Sequence, residues 1–242
     1  MGKPVSFSLI VPVYEEEYNV APNIEALAAK LQALTSLGVI KDYEILVFQS
    51  AERYLNFPQC LIANKNIKFI DHGGYTELGG IFRRGITLAE KETVGLITPY
   101  NQVNLCSLDK ILPALSDYDM VVAYIGNLKT RPWYRELFSA LNTMLLNLAF
   151  GLKLKYYHLN FYRTALAKKV RITTDSHSAM VEVAVWVAKS WTKIHQVPFV
   201  MIPHNFASKS RIFRMKNIMS IFKTNFRLFW KIRILGKRIN LN

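Results

Sequence analysis

Residues 6–19 read SFSLIVPVYEEEYN: an apolar run, a Pro-Val-Tyr break, then three consecutive carboxylates ahead of a helical pattern. Ser8, Leu9, Ile10, Val11 and Val13 are small or apolar without strict alternation, which predicts a strand buried on both faces of a parallel sheet. Pro12 has no backbone N–H to donate and closes the ladder. Tyr14 to Glu17 are therefore expected at the carboxyl end of this strand, the edge where open α/β sheets bind ligands. A plainer role also fits Glu15 to Glu17, as carboxylates at the positive end of a helix dipole.

Working outward, Ile24, Leu27, Ala28, Leu31 and Leu34 recur at helical spacing and Gly38 is a natural stop. Tyr43 to Phe48 is a second strand, and the βαβ unit it completes is expected to be right-handed. Asn66 to Ile70 and Val94 to Ile97 are further strands, with a glycine-rich segment and a helix between them. A helix over Ser107 to Leu115, a strand over Met120 to Tyr124 and a strand over Ile194 to Ile202 continue the alternation. In the helix around residues 135–148, Leu137, Leu141, Leu145 and Leu148 are expected to pack inward.

At 242 residues the chain suits one well-buried domain. Its 51% hydrophobic content is high, yet the apolar stretch Leu137 to Leu152 is interrupted by Ser139, Asn142, Thr143 and Asn147 and does not read as a membrane span. No signal-peptide pattern opens the chain, and Cys60 and Cys106 are its only cysteines, so a reduced, cytoplasmic setting is expected. The net charge of +14 is one-sided: no Asp or Glu follows Glu182, whereas Lys and Arg are spread from Lys189 to Arg238. Such a field calls for an anionic partner. Between Arg214 and Leu235, Met215, Met219, Phe222, Phe226, Phe229 and Trp230 share one flank of a helix beside a stripe of Lys216, Lys223, Arg227 and Lys231. This pairing matches an interfacial helix on an anionic membrane surface. The alternatives are an apolar flank that covers the domain and a stripe that binds nucleic acid, but no nucleic-acid module accompanies it and no nucleic-acid partner is expected.

The run IVPVYEEEYN resembles the opening of family 2 glycosyltransferases of the GT-A fold, most of all the dolichol-phosphate mannose synthase branch, with Glu15 in place of an Asn. The resemblance extends in order and spacing from Ser6 to Lys223. It includes Gly85, Ile86 and Ala89 of a Gly-Ile-x-x-Ala helix and an Arg-x-x-x-Ser-x-x-Asn helix matched by Arg135, Ser139 and Asn142. It implies a mixed α/β sheet with helices on both faces over residues 1–211, followed by a basic amphipathic tail over 212–242. It also implies transfer of a hexose from a nucleotide sugar, or a lipid-phosphate sugar, to a polyprenyl-phosphate or cell-surface polysaccharide acceptor by a cytoplasmic protein peripheral to the inner face of the membrane.

Carried onto this chain, the resemblance gives Pro12, Tyr14, Glu16, Gln49, Asp71, Asn101 and Gln102 to the donor, and Lys129, Arg131, Lys209 and Arg211 to its phosphates. Arg135 and Glu182 become the candidate catalytic groups, although Glu182 also fits a helix-face role and a polyprenyl phosphate is already ionised without a base. Several carboxylates of the pattern are missing. The second strand ends Phe48-Gln49-Ser50-Ala51 where the family has Asp-Asp-Gly-Ser, and the fourth leads into Thr98-Pro99-Tyr100-Asn101-Gln102 where active relatives carry the metal-holding Asp-x-Asp. Neutral oxygens hold Mg²⁺ or Mn²⁺ poorly, so a tight divalent-cation site is not expected. The competing reading is a glycosyltransferase-like scaffold without turnover.

Overall fold

The run SFSLIVP forms strand β1, Ser6–Pro12, and all of its residues are buried. The computed structural model describes residues 3–13, 20–49, 57–73, 77–99, 103–127, 132–157, 159–190, 192–202 and 215–234. On one side β1 pairs in parallel with β2 (Asp42–Gln49), from Ser6 opposite Asp42 to Pro12 opposite Phe48. On the other side it pairs in parallel with β4 (Thr93–Leu96), and β3 (Ile67–Asp71) extends the sheet beyond β2. β6 (Asn160–Arg163) then runs antiparallel between β4 and β5 (Met120–Ile125), and β7 (Ile194–Phe199) lies parallel to β5. The seven described strands follow the order β3-β2-β1-β4-β6-β5-β7, the mixed α/β sheet that the family resemblance implies.

Strand pleating divides the core. Leu9, Val11, Ile45 and Val47 face one layer with helices α1 (Val20–Ser36), α2 (Gln59–Ile62) and α4 (Leu108–Ala114). Ile10, Leu46 and Phe48 face the other, with α3 (Leu78–Leu88), α6 (Thr164–Lys168) and α7 (Ser178–Ala188). α1 buries Ile24, Leu27, Ala28, Leu31 and Leu34 as their spacing requires, and Gly38 takes the left-handed conformation just past its end, at φ 68°. The short helices α2 and α6 have no counterpart in the sequence reading, because four or five residues are too few to show a period.

Helix α5 (Trp133–Phe150) corrects one expectation. Leu137, Leu141, Leu145 and Leu148 are exposed, and the inward side chains are Leu146 and Phe150. Asn147 explains the rotation. Its Oδ1 accepts from the Leu154 N–H at 3.0 Å and the Tyr157 hydroxyl at 2.8 Å, while its Nδ2 donates to the Leu154 carbonyl at 2.8 Å. That amide must face the body of the protein, and helical geometry then turns the leucine stripe outward. Helix α8 (Met215–Phe229) ends in a π-helical turn, Trp230–Ile234, and buries Thr224, Leu228 and Ile232 on the α7 side of the molecule.

Hydrogen-bonded carboxylates brace the amino edge of the sheet. Buried Glu44 accepts from the Ser8 hydroxyl at 2.7 Å and the Glu90 N–H at 2.8 Å, and Lys68 Nζ lies 2.9 Å from its other oxygen. Burial raises the affinity of Glu44 for a proton, but these donors outweigh it and hold the carboxyl below its ordinary range. Asp42, bonded to Lys91, and Glu92, bonded to the Ser6 N–H and hydroxyl, are lowered too. Each is more acidic folded than unfolded, so its contribution is complete above the unfolded value and is lost as the pH falls through the folded one. Stability in urea should therefore drop as the pH is taken below about 4, and Glu44→Gln should flatten that dependence.

α3 approaches the loop before α7 closely. The Gly79 N–H donates to the Asp175 carbonyl at 2.7 Å, and a Cβ on Gly79 would lie 2.5 Å from backbone atoms of Asp175 and Ser176. Backbone on that side cannot rotate away as a side chain would. Gly79→Ala should cost about 1–3 kcal/mol in urea unfolding, more than alanine at exposed Gly38.

Candidate functional site

Strand pairing sets β1, β2 and β3 side by side at their carboxyl ends. Pro12 lies opposite Phe48, Gln49 lies opposite Asp71, and the Val13 N–H donates to the Phe48 carbonyl at 2.8 Å. Three predicted donor residues, Pro12, Gln49 and Asp71, are thus brought to one edge. The segment after β4 leaves from the strand next to β1, with the Ile97 N–H bonded to the Ile10 carbonyl at 3.0 Å and Asn23 Nδ2 holding the Pro99 carbonyl at 2.5 Å. Tyr14, Glu16, Asn101, Gln102, Lys129, Arg131, Lys209 and Arg211 lie outside the described residues, as does the side chain of Arg135 on α5.

Two polar atoms at this edge are buried without a partner among the described residues, Gln49 Oε1 and His72 Nδ1. They sit on adjoining strand ends, since the His72 N–H donates to the Gln49 carbonyl at 2.9 Å. An unmet buried hydrogen-bonding atom costs about 1–3 kcal/mol, and a ligand edge with both donors and acceptors would recover it. Beside them Asp71 Oδ1 accepts from the Gly73 N–H at 3.0 Å, and Arg84 Nη1 donates to the Asp71 carbonyl at 2.6 Å. Gly73 has φ 61°, and Arg84 Nη1 stands 2.8 Å from where its Cβ would be, so glycine serves both the turn and the approach of the guanidinium. Neither His72 nor Arg84 is assigned a role by the sequence reading. The available signal is position: one follows a strand's carboxyl end, and the other lies on the helix that follows that strand.

A cavity of about 840 Å³ opens at the carboxyl end of β5, between Tyr124–Gly126, α5 and residues 152–156. Its lining is chiefly apolar. Two charged groups reach it: Lys155, whose Nζ lies 4.3 Å from the centre of the Tyr124 ring, and Glu136, whose Oε1 is buried without a partner among the described residues. Gln196 supports the wall, accepting from the Lys155 N–H at 2.7 Å and donating to the Lys153 carbonyl at 3.0 Å. On the far side Asn127 exchanges two 2.8 Å bonds with the Met201 backbone, tying the segment after β5 to the one after β7.

Glu182 occupies a different setting. It is 0% exposed on α7, and its two oxygens accept from the Thr173 N–H and hydroxyl, both at 2.8 Å. Arg227 Nη1 on α8 donates to the same hydroxyl at 3.0 Å. The carboxylate thereby anchors the loop before α7 and, through Thr173, helix α8. Among the described residues no group of three His, Cys, Asp or Glu side chains could hold a metal ion.

Neither a family model nor a curated protein sequence matches the chain. Solved structures of glucosyl-3-phosphoglycerate synthase from Mycobacterium tuberculosis do resemble it in fold. The form with Mg²⁺ and UDP superposes with a TM-score of 0.62 at 12% identity, covering 94% of this chain and 79% of that one. The form with Mn²⁺, UDP and glucosyl-3-phosphoglycerate gives 0.60, and the form with Mn²⁺, UDP-glucose and phosphoglyceric acid 0.58, at the same identity and coverage. Likeness at this identity establishes the fold. It supports the GT-A architecture and carries no assignment to the mannose synthase branch.

Glu182→Gln should expose the anchoring role. The amide presents one donor to the two donors of Thr173, which should lower stability in urea by about 1–3 kcal/mol, while Thr173→Val should cost a similar amount by removing the hydroxyl between Glu182 and Arg227.

Proposed function

We propose that this chain transfers a hexose from a nucleotide sugar to a polyprenyl-phosphate or cell-surface polysaccharide acceptor, as a peripheral protein at the inner face of a membrane. The observation that carries the reading is the carboxyl edge of β1 to β3, where Gln49 Oε1 and His72 Nδ1 lie buried, without a partner among the described residues, close to Asp71. A nucleobase edge supplies the complementary donors and acceptors. The fold supports the same reading, because its solved neighbours hold UDP or UDP-glucose.

In this reading Gln49 takes the place of a carboxylate that grips the base, and Asp71 reaches the base or ribose. Tyr14 and Glu16 are read as cradling the nucleotide with Gln49, and Asn101 and Gln102 as groups for the diphosphate. An acceptor phosphate oxygen attacks the anomeric carbon, the bond from that carbon to the diphosphate breaks, and the nucleoside diphosphate leaves with the electron pair. Charge builds on the leaving diphosphate, and its stabilisation is the largest task of such a site. Amides replace the metal-holding carboxylates, so Lys129, Arg131, Arg135, Lys209 and Arg211 are read as the groups that offset this charge. An ionised phosphate acceptor needs no general base. Glu182, saturated by Thr173, is accordingly read as a positioning residue. A lipid-phosphate sugar donor would place less charge on the leaving group and suit the same residues.

One feature favours the alternative of a binding scaffold without turnover: Thr98-Pro99-Tyr100-Asn101-Gln102 carries no carboxylate where the pattern calls for two. Calorimetry with a panel of nucleotide sugars, with and without Mn²⁺, separates the readings. Binding of one nucleotide sugar without Mn²⁺ is expected, weakened about tenfold or more by Gln49→Ala, or about 1.4 kcal/mol. Binding that requires Mn²⁺ would restore the conventional metal mechanism, and a blank panel would leave the scaffold.

A further inference from the structure

Helix α5 is apolar on almost every side yet scarcely packed. Among its described side chains only Leu146 and Phe150 are buried, while Trp133, Leu137, Leu141, Met144 and Leu148 stand open to solvent, Leu148 at 77%. α8 runs beside it in the same direction, because Asn225 Nδ2 bonds to Asn142 Oδ1 at 3.1 Å and Arg233 Nε bonds to the Ala149 carbonyl at 2.9 Å. α8 has an exposed stripe of its own: Met219, Phe222, Phe226 at 68%, and Trp230. Helical periodicity places that stripe between the edge that meets α5 and an edge carrying Lys223 and Lys231, with Arg227 on the same edge turned to Thr173. The result is one apolar surface two helices wide, bordered by cations.

We propose that α5 and α8 together form a docking face for an anionic lipid bilayer. Exposed apolar surface of this extent marks an interaction site, and the composition of the two helices selects the occupant. Aromatic and aliphatic side chains enter the acyl boundary while adjoining Lys and Arg meet acidic headgroups. A second copy of this chain is disfavoured as occupant, because each copy carries a net charge of +14 and the two would meet at their basic edges. No described helix is long and apolar enough to cross a membrane, so the face lies on the bilayer and does not span it. The sequence pattern assigns the membrane contact to the basic tail alone; the packing adds α5 as an equal partner. This inference rests on the membrane half of the proposed function and is independent of sugar transfer.

Vesicle flotation of the full chain tests it, using phosphatidylcholine vesicles with and without about 30 mol% phosphatidylglycerol. Three variants accompany the wild type: Leu148→Asp on α5, Phe226→Asp on α8, and Leu37→Asp at an exposed apolar site after α1. All three positions are exposed, and thermal melts verify folding. The expected result is stronger binding to anionic vesicles, a loss of about tenfold or more in both Leu148→Asp and Phe226→Asp, and wild-type binding by Leu37→Asp. Binding that survives Leu148→Asp would remove α5 from the face, and indifference to both vesicle types would end the proposal. So would a dimer in sedimentation that Leu148→Asp dissociates, since it would hand the face to a second copy. A chain that binds vesicles but no nucleotide would leave this inference standing and defeat the sugar-transfer reading.

Discussion

Everything at the ligand edge inherits its place from the pairing of β1 on both sides. A strand with all seven residues buried, bonded to β2 and β4, cannot slip by one residue without turning Leu9 and Val11 into the layer that holds Ile10. Pro12 then ends the ladder at a fixed height beside Phe48, and β2 passes that height on to β3, so Gln49 and Asp71 arrive abreast. The polar brace at the opposite edge, Ser8 to Glu44 and Ser6 to Glu92, fixes the same register through side chains. Positions at the functional edge are thus dictated by hydrophobic alternation and by hydrogen bonds at the other end of the strands.

Strands β1 and β2 were legible in the sequence because burial on two faces writes itself as continuous apolar runs, SFSLIVP and YEILVF, whereas β6, with four residues, is too short to show a period. α1 was equally plain from one stripe of apolar residues and a glycine stop. α5 was legible as a helix but its orientation was not. Its apolar residues occupy most of the circumference, so the inward edge is chosen by Asn147, whose partners at Leu154 and Tyr157 become visible only once the chain has turned back at Gly151. A local pattern cannot report a bond made by the residues that follow the helix.

At the candidate site, the carboxyl-end placement of Pro12, Gln49 and Asp71 followed from strand order, whereas the setting of Glu182 did not. Its position on an apolar helix suits a catalytic base and a structural anchor alike; what distinguishes them is Thr173, nine residues earlier, which engages both oxygens. His72 and Arg84 went unassigned for a related reason. Their significance lies in a buried ring nitrogen without a partner among the described residues and in a guanidinium laid over a left-handed turn, and both are properties of three-dimensional neighbours. The amides that stand where the family pattern has carboxylates, Gln49 and Asn101-Gln102, are themselves visible in the sequence.

Asn147 also determines how α5 is mounted. Its bonds, with Leu146 and Phe150 in the core, clamp the helix near its last turns, whereas none of its described side chains from Trp133 to Leu145 is buried. The cavity beside β5 lies beneath the rest of the helix, which α8 meets through the Asn142–Asn225 bond. One wall of that cavity and the exposed leucine stripe are thus two faces of a single helix, so a load on the outer face bears directly on the space within.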